Sequence, residues 1–165
     1  MSVLPILSYP DPLLSETCVP ISDPGGERAL AEDMLETMYA APGRGLAGPQ
    51  VGMLRRIFVM DAGWKSGTPT PRVCINPEII WESEERATAE EGCLSIPGLS
   101  IPVSRPARVV LRTTDLDGVT EEIALDGAEA LIAQHETDHL NGILTLDRVP
   151  HEQRETYLAR YKGAA

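Results

Sequence analysis

The sequence predicts an α+β fold, because short segments typical of strands fill the middle of the chain and a buried helix follows them. Two strand segments flank the run DLDG at residues 115–118, which is a hairpin signal. The helical segment, residues 127–140, repeats its apolar side chains on one face. A length of 165 residues with 42% hydrophobic residues suffices for a single packed domain over residues 1–165.

The N-terminal part is expected to hold an arm, a helix and a loop. Residues 1–26 are rich in Pro, Asp and Ser and are predicted to form an extended arm along the surface. Residues 27–40 are predicted to be helical, because apolar side chains recur at helical spacing until Pro42. The run 43–52 holds four glycines, so its backbone can approach a ligand closely. No Lys-Ser/Thr pair follows it, and phosphate binding is not expected.

Four segments are predicted to be strands, namely residues 56–61, 73–81, 108–114 and 120–125. Asn76 and Pro77 interrupt the second of them, which predicts a bend or a position at a sheet edge. Residues 62–72 are predicted to be a loop, because glycine and proline recur there. The segment 90–98 around Cys93 is predicted to have an irregular backbone, since it also contains glycine and proline.

Residues 127–140 give the clearest helix prediction. Asp126 is a candidate N-cap, and Glu129 three residues later completes a pattern like a capping box. The Asn-Gly pair that follows is expected to end the helix. Residues 150–165 are predicted to form a short helix, from about residue 151 to 161, or a tail.

Composition limits the classes of partner. The formal charge of −11 argues against direct nucleic-acid binding, which relies on a basic surface. The chain has three cysteines, a small and odd number that does not suit a disulfide framework. Cysteines that remain reduced thiols indicate a cytoplasmic protein. The N-terminus lacks the basic start and apolar run of a signal peptide. No apolar stretch approaches the ~18 residues that span a bilayer, so no membrane association is expected.

The most informative motif is HETDH at residues 135–139. On a helix, His135 and His139 lie one turn apart on one face and can hold one metal ion. Glu136 can then sit beside the open position of the metal and handle a water proton. Two satisfied core histidines are the alternative, which the combined spacing, glutamate and predicted helix disfavour. The pattern indicates a hydrolytic metal site and leaves its third ligand open.

Three kinds of third ligand can be compared. In the metzincin pattern a third histidine follows the motif, but Thr145 stands there, and its hydroxyl is a poor ligand. A downstream glutamate, as in thermolysin-type sites, would be Glu152 or Glu155 in a short polar tail. Among the cysteines, Cys74 lies in an apolar strand segment and is expected to be core. Cys93 follows a glycine that permits close approach of a ligand.

Three segments, 43–52, 91–95 and 135–139, resemble the signature motifs of the peptide deformylases, in that family's order and with similar separations. The resemblance implies mixed or antiparallel sheets packed around a central helix that carries the metal ligands. It also implies removal of the formyl group from formyl-methionine, with a nascent peptide as partner and a transient ribosome contact. The alternatives are another N-formyl substrate, a metallopeptidase that cuts internal bonds, and a binding protein without activity.

The resemblance implies one divalent metal ion, Fe(II) in the family's usual form, with zinc, nickel or cobalt as substitutes. Its ligands would be one thiolate and two imidazoles, those of Cys93, His135 and His139. Glu136 would move the proton of the attacking water. The Gln50 side chain and the Leu94 backbone N–H would donate to the formyl oxygen.

Substrate contacts are expected around this centre. Leu131 and Ile132 lie one turn before His135, where they would form an apolar pocket for methionine or pack in the core. Gly45 and Gly92 are expected to leave backbone free for close contact with an extended peptide.

Three positions depart from the family's usual pattern. Arg44 replaces an aliphatic residue near the substrate side chain, so that it either points outward or makes the pocket more polar. Gly48 replaces alanine, and Ser100 stands where many members have arginine. None of the three removes a metal ligand or an acid–base residue, so catalysis is still expected.

Arg105 is a further candidate for the surroundings of the site. It is expected to pair with Glu91 or Asp138 and brace the metal ligands. The alternative is an arginine solvated at the surface.

Overall fold

The computed structural model describes residues 2–164 and confirms the α+β fold. The predicted domain limits, residues 1 and 165, lie outside the described residues. The helices are α1 (Arg28–Ala40), α2 (Gly127–Leu140) and α3 (His151–Ala164). The strands are β1 (Gly45–Ala47), β2 (Ile57–Met60), β3 (Arg72–Glu82), β4 (Arg86–Cys93), β5 (Ile96–Pro106), β6 (Val109–Thr114) and β7 (Thr120–Leu125). One antiparallel sheet has the order β1-β2-β3-β6-β7, and a second pairs β4 with β5.

Helix α2 is the central element. It contacts β1, β2 and β3 of the larger sheet on one side and β5 of the hairpin on the other. Strand β2 is buried on both faces, which explains its unbroken apolar sequence. Phe58 and Met60 belong to the core shared with α2, and Ile57 and Val59 to the core shared with α1.

Strand β3 bends where its sequence predicts. Its register with β6 shifts between Ile75 and Glu78, and Asn76 has a φ of 49°. A bulge can hold Pro77, because the extra residue need not donate to the ladder. The alternative prediction of an edge strand is wrong, since β3 pairs with β2 and β6.

The β4–β5 hairpin was not predicted, and the irregular backbone expected over 90–98 is confined to its turn. Three prolines in β5 hid the strand signal. They are tolerated because each strand of a two-stranded sheet has one edge without ladder bonds. Leu94 and Ser95 form the turn, so Cys93 lies at the very end of β4, opposite Ile96.

The helices largely follow the prediction. Helix α2 has the predicted limits, and α3 begins as expected but continues to residue 164. The predicted capping box is wrong, because Asp126 makes no side-chain cap bond and Glu129 instead pairs with Arg72 of β3 at 2.9 Å. No helix within residues 2–164 combines the length and the apolar character that a membrane span requires.

The N-terminal arm ties the later segments together. It consists of two 3₁₀ turns and short extended stretches. Its Val19 N–H donates to the Leu54 carbonyl at 3.1 Å, and three further backbone N–H groups donate to carbonyl oxygens at distant points. These bonds run from Leu7 to Gln50 (2.7 Å), from Tyr9 to Ser95 (2.8 Å) and from Cys18 to Leu140 (2.9 Å). The N-terminal arm therefore binds the glycine-rich segment, the turn of the β4–β5 hairpin and the end of α2 by backbone hydrogen bonds.

Candidate metal centre and active site

Two separate elements meet in one buried cluster of metal-ligating side chains. Cys93 ends β4, whereas His135 and His139 lie one turn apart on α2. One ligand atom from each lies within 4.8 Å of the other two, and Cys93 Sγ is 3.4 Å from His139 Nε2. A thiolate and two imidazoles suit ions such as zinc or iron. The cluster could therefore hold one metal ion.

The surroundings of the two histidines also fit a cation. His135 Nδ1 lies 2.9 Å from a Glu91 carboxylate oxygen, so a proton on Nδ1 leaves the Nε2 lone pair free for a metal. Burial lowers the pKa of His135, but Glu136, Cys93 and Glu91 outweigh it and raise this pKa well above its ordinary value. Burial and the charge of His135 hold the pKa of His139 well below its ordinary value. His139 is therefore neutral, as a ligand must be, whereas His135 favours a positive charge and would have to give up a proton to a metal ion.

A buried network of charges holds Glu91. Arg105 donates to both oxygens of Glu91 at 2.7 and 2.9 Å and to Asp138 at 2.9 Å. Arg148 donates to the same Asp138. The predicted pairing is confirmed for both carboxylates, and the solvated alternative is wrong, because the Arg105 side chain is only 4% exposed. Burial raises the pKa of Glu91, but bonds from His135 and Arg105 outweigh it and lower this pKa.

Glu136 lies beside the metal ligands with very little free space around its carboxylate. It is buried, and its Oε2 is 3.9 Å from His135 Nε2. Burial raises the pKa of Glu136 to about 7, against the opposing charge of His135. A Cβ added to Gly45 would lie 2.4 Å from Glu136 Oε2. Gly45 therefore makes room for the carboxylate, a role that its expected substrate contact did not include.

Gln50 presents an amide donor to the cluster. Its Oε1 accepts from the Ala47 N–H at 2.9 Å, so its Nε2 must point the other way. There Nε2 lies 3.1 Å from Ser95 Oγ and 3.7 Å from Cys93 Sγ. Leu94 lies in the turn between Cys93 and Ser95 and lines the adjoining cavity.

Comparison with known proteins decides the family. Residues 3–155 match the family model for polypeptide deformylase. This chain belongs to the polypeptide deformylase family. The peptide deformylase of Afipia carboxidovorans is 46% identical over 166 residues, which cover 100% of this chain and 97% of the relative. That of Rhizobium meliloti is 40% identical over 166 residues, which cover 100% and 95%.

Solved deformylase structures agree over almost the whole chain. The peptide deformylase of Ehrlichia chaffeensis in complex with actinonin has a TM-score of 0.92 at 36% identity, covering 99% of this chain and 98% of that chain. The enzyme of Thermus thermophilus has a TM-score of 0.89 at 40% identity, covering 98% and 94%.

Family membership confirms the resemblance that the three motifs indicated. Polypeptide deformylases are enzymes, so a binding role without activity is not favoured, and neither are another N-formyl substrate and a metallopeptidase. The glutamates considered as a third metal ligand also disfavour the metallopeptidase, because Glu152 and Glu155 are exposed on α3 and not buried with the two histidines. Thr145 is buried at the start of the 3₁₀ turn Thr145–Arg148.

A cavity of about 720 Å³ adjoins the deformylase centre. All five residues predicted to contact substrate line it, and these are Arg44, Gly45, Gly92, Leu131 and Ile132. Leu131 and Ile132 are only partly buried, so their apolar surface is available to a ligand, while Ile132 also packs against the core.

Two departures from the usual deformylase pattern lie outside the lining of this cavity, namely Gly48 and Ser100. A Cβ on Gly48 would lie 2.5 Å from the backbone oxygen of Met53, so the local backbone itself requires glycine there. Of the three departures, Arg44 is the one that lines the cavity.

Two residues near the centre were not predicted, Ser95 and Arg148. Ser95 is fully buried beside Gln50, but in the sequence it is an ordinary serine in a turn. Arg148 reaches Asp138 across ten residues with no periodic pattern to mark it. One weak signal for Arg148 was available, since it is the basic residue that ends the 3₁₀ turn Thr145–Arg148.

Proposed function

We propose that this chain is a single catalytic domain that removes the formyl group from the N-terminal formyl-methionine of newly synthesised polypeptides. The products are formate and a free amine. The observation that carries the proposal is the cluster of Cys93, His135 and His139 next to Glu136, in a chain of the deformylase family.

One divalent ion would be held by one thiolate and two imidazoles, those of Cys93, His135 and His139. When bound, such an ion acts as a Lewis acid that makes water nucleophilic near neutral pH and polarises the formyl carbonyl. We propose Fe(II) as the native ion, with zinc, nickel or cobalt as substitutes. Glu91 would keep the His135 ring oriented toward it.

Glu136 is the proposed proton carrier. A C–O bond forms between water and the formyl carbon while Glu136 takes a proton from that water. The same proton then passes to the amine nitrogen as the C–N bond breaks. A carboxyl whose pKa is raised to about 7 can both accept and return a proton near neutral pH.

Gln50 and Leu94 are proposed to stabilise the negative charge that develops on the formyl oxygen. The Gln50 amide is already held with its N–H₂ toward the cluster by Ala47 and Ser95. A donor that needs no reorientation during the reaction is worth about 2.7–4 kcal/mol of barrier in other hydrolases.

The rest of the substrate would occupy the cavity. Leu131 and Ile132 supply apolar surface for the methionine side chain. The backbone around Gly45 and Gly92 would pair with the extended peptide.

Because the proposed substrate is a nascent chain, we also propose a cytoplasmic enzyme that contacts the ribosome transiently. Arg160 and Lys162 are exposed on α3, but so are Glu152 and Glu155, so the contact would be weak and sensitive to salt. Co-sedimentation with ribosomes should fall when Arg160 is changed to Glu, and an unchanged yield would argue against α3.

Release of formate from formyl-Met-Ala tests the function. Glu136→Ala should keep the metal and lose turnover by roughly 10²-fold or more. Glu155→Ala is the matched control, because it removes an exposed glutamate on α3. Wild-type turnover in the Glu136 variant would refute the mechanism, and an inactive metal-loaded wild type would refute the function. The metal content of anaerobically purified protein identifies the ion.

A further inference from the structure

The cavity carries two exposed cationic side chains. Arg44 and Lys65 both line it, and both are exposed. Neither takes part in an ion pair within residues 2–164. The chain as a whole has a formal charge of −11, so two unpaired cations beside the substrate cavity oppose the overall field.

Both side chains stand on a wall that the fold holds in place. Buried Asp61 accepts from the Trp64 backbone N–H at 3.1 Å, and its own N–H donates to the Arg44 carbonyl at 2.9 Å. The Trp64 indole donates to the Gly43 carbonyl at 2.9 Å, and the Lys65 ammonium lies 5.8 Å from the centre of that indole ring. The segment carrying Lys65 is thereby tied to the segment carrying Arg44.

The depth of the reacting groups indicates which part of a peptide meets these cations. Glu136 is buried, whereas Arg44 and Lys65 are exposed. A formyl group at Glu136 therefore leaves the residues beyond it at the open side of the cavity. Leu131 offers the apolar surface that suits methionine, so the charged side chains are left for the residue after methionine.

We propose that Arg44 and Lys65 make the enzyme prefer formyl-methionyl peptides that have an acidic residue directly after methionine. The preference rests on the deformylase function proposed above. Three carboxylates also line the cavity, those of Glu90, Glu91 and Glu136. Glu91 is paired with Arg105 and Glu136 is buried, so exposed Glu90 is the carboxylate of the lining that opposes the two cations at the open side. Exposed charge pairs act weakly, so the preference should be modest and should weaken with salt.

Two amidated peptides that differ only in charge test the preference. They are formyl-Met-Asp-Ala-amide and formyl-Met-Asn-Ala-amide, each assayed by formate release with the metal-loaded enzyme. At low salt we expect kcat/KM to be about three- to tenfold higher for the aspartyl peptide. At 1 M salt, where the screening length is about 3 Å, the ratio should approach one.

Charge-removing variants assign the effect to its residues. Arg44→Gln and Lys65→Gln should each lower the ratio between the two peptides, and the double variant should bring it close to one. Arg112→Gln is the matched control, because Arg112 is exposed, lies outside the cavity lining and should leave the ratio unchanged.

Two outcomes separate this inference from the function on which it rests. A ratio near one at low salt, with normal turnover of both peptides, refutes the preference and leaves the deformylase function intact. No formate from either peptide or from formyl-Met-Ala refutes both. If Arg44→Gln does not fold, the salt titration of the wild type and Lys65→Gln decide, and a ratio that neither salt nor Lys65→Gln lowers overturns the preference.

Discussion

Replacing Gly45 by alanine would test where the Glu136 carboxylate must stand. The added Cβ would lie 2.4 Å from Glu136 Oε2 and 2.9 Å from the carboxyl carbon. Ordinary van der Waals contact begins at 3.4 Å, so the carboxylate would have to retreat by about 1 Å, the difference between 3.4 and 2.4 Å. A displacement of about 1 Å can cost roughly 10²-fold in rate when the displaced group reacts with the substrate.

We therefore expect Gly45→Ala to lower kcat for formyl-Met-Ala roughly 10²-fold while the metal content stays unchanged. The metal content should hold because Gly45 faces Glu136, whereas the proposed ligands are Cys93 and the two histidines of α2. Formate release gives kcat, elemental analysis gives the metal, and thermal unfolding shows whether the variant is folded.

Gly25→Ala is the control for a glycine replaced in this chain. A Cβ there would have its nearest neighbours at 3.8 Å, so its turnover should equal that of the wild type. If folded, metal-loaded Gly45→Ala kept kcat within about threefold of the wild type, the proposed position of Glu136 in the reaction would be wrong.

Three other changes probe the donor, the charge network and a buried carboxylate. Gln50→Leu should lower kcat by roughly 10²–10³-fold with the metal retained, measured by formate release, because it removes one donor to the formyl oxygen. Arg105→Leu should cost about 3–5 kcal/mol of unfolding free energy in urea, since it removes the buried guanidinium that pairs with Glu91 and leaves Asp138 with Arg148 alone. Exposed Arg112→Leu should cost less than about 1 kcal/mol. Burial raises the pKa of Asp61, but bonds from Thr70 and its other donors outweigh it and lower this pKa below 3.8. The ionised Asp61 therefore stabilises the fold fully above pH 3.8, and this stabilisation is lost as the pH falls through the lower pKa of the folded state. The difference in unfolding free energy between wild type and Asp61→Asn, measured in urea, should therefore decrease below pH 3.8.

The elements that could be predicted are those whose signal is local. Helix α2 and the hairpin of β6 and β7 have a periodic pattern and a turn signal within a short stretch of chain. The β4–β5 hairpin could not be read in this way, because its prolines contradict strand propensity and only pairing with a neighbour makes them acceptable. The predicted capping box of α2 was wrong for a related reason, since Glu129 pairs with Arg72 of β3, which is distant in the sequence.

The residues of the site also differ in whether a local sequence pattern predicts them. The spacing of His135 and His139 is a property of one helix and could be read directly, whereas Cys93 was assigned through the family resemblance. The contact of Ser95 with Gln50 arises only when segments 45 residues apart meet, and no periodic pattern marks the contact of Arg148 with Asp138 ten residues away. A close approach such as that of Gly45 to Glu136 is equally invisible before the segments are placed.

Glu91 joins the stability of this fold to the proposed metal chemistry. Its Oε1 accepts hydrogen bonds from His135 Nδ1 and from an Arg105 N–H, and its Oε2 accepts from a second Arg105 N–H. After the His135 hydrogen bond, the bonds and charge of Arg105 are the main causes that lower the pKa of Glu91. Without Arg105 this pKa would rise, and a protonated carboxyl is a poor acceptor for His135. Loss of Arg105 should therefore weaken metal binding as well as folding, although no atom of that arginine would touch the ion.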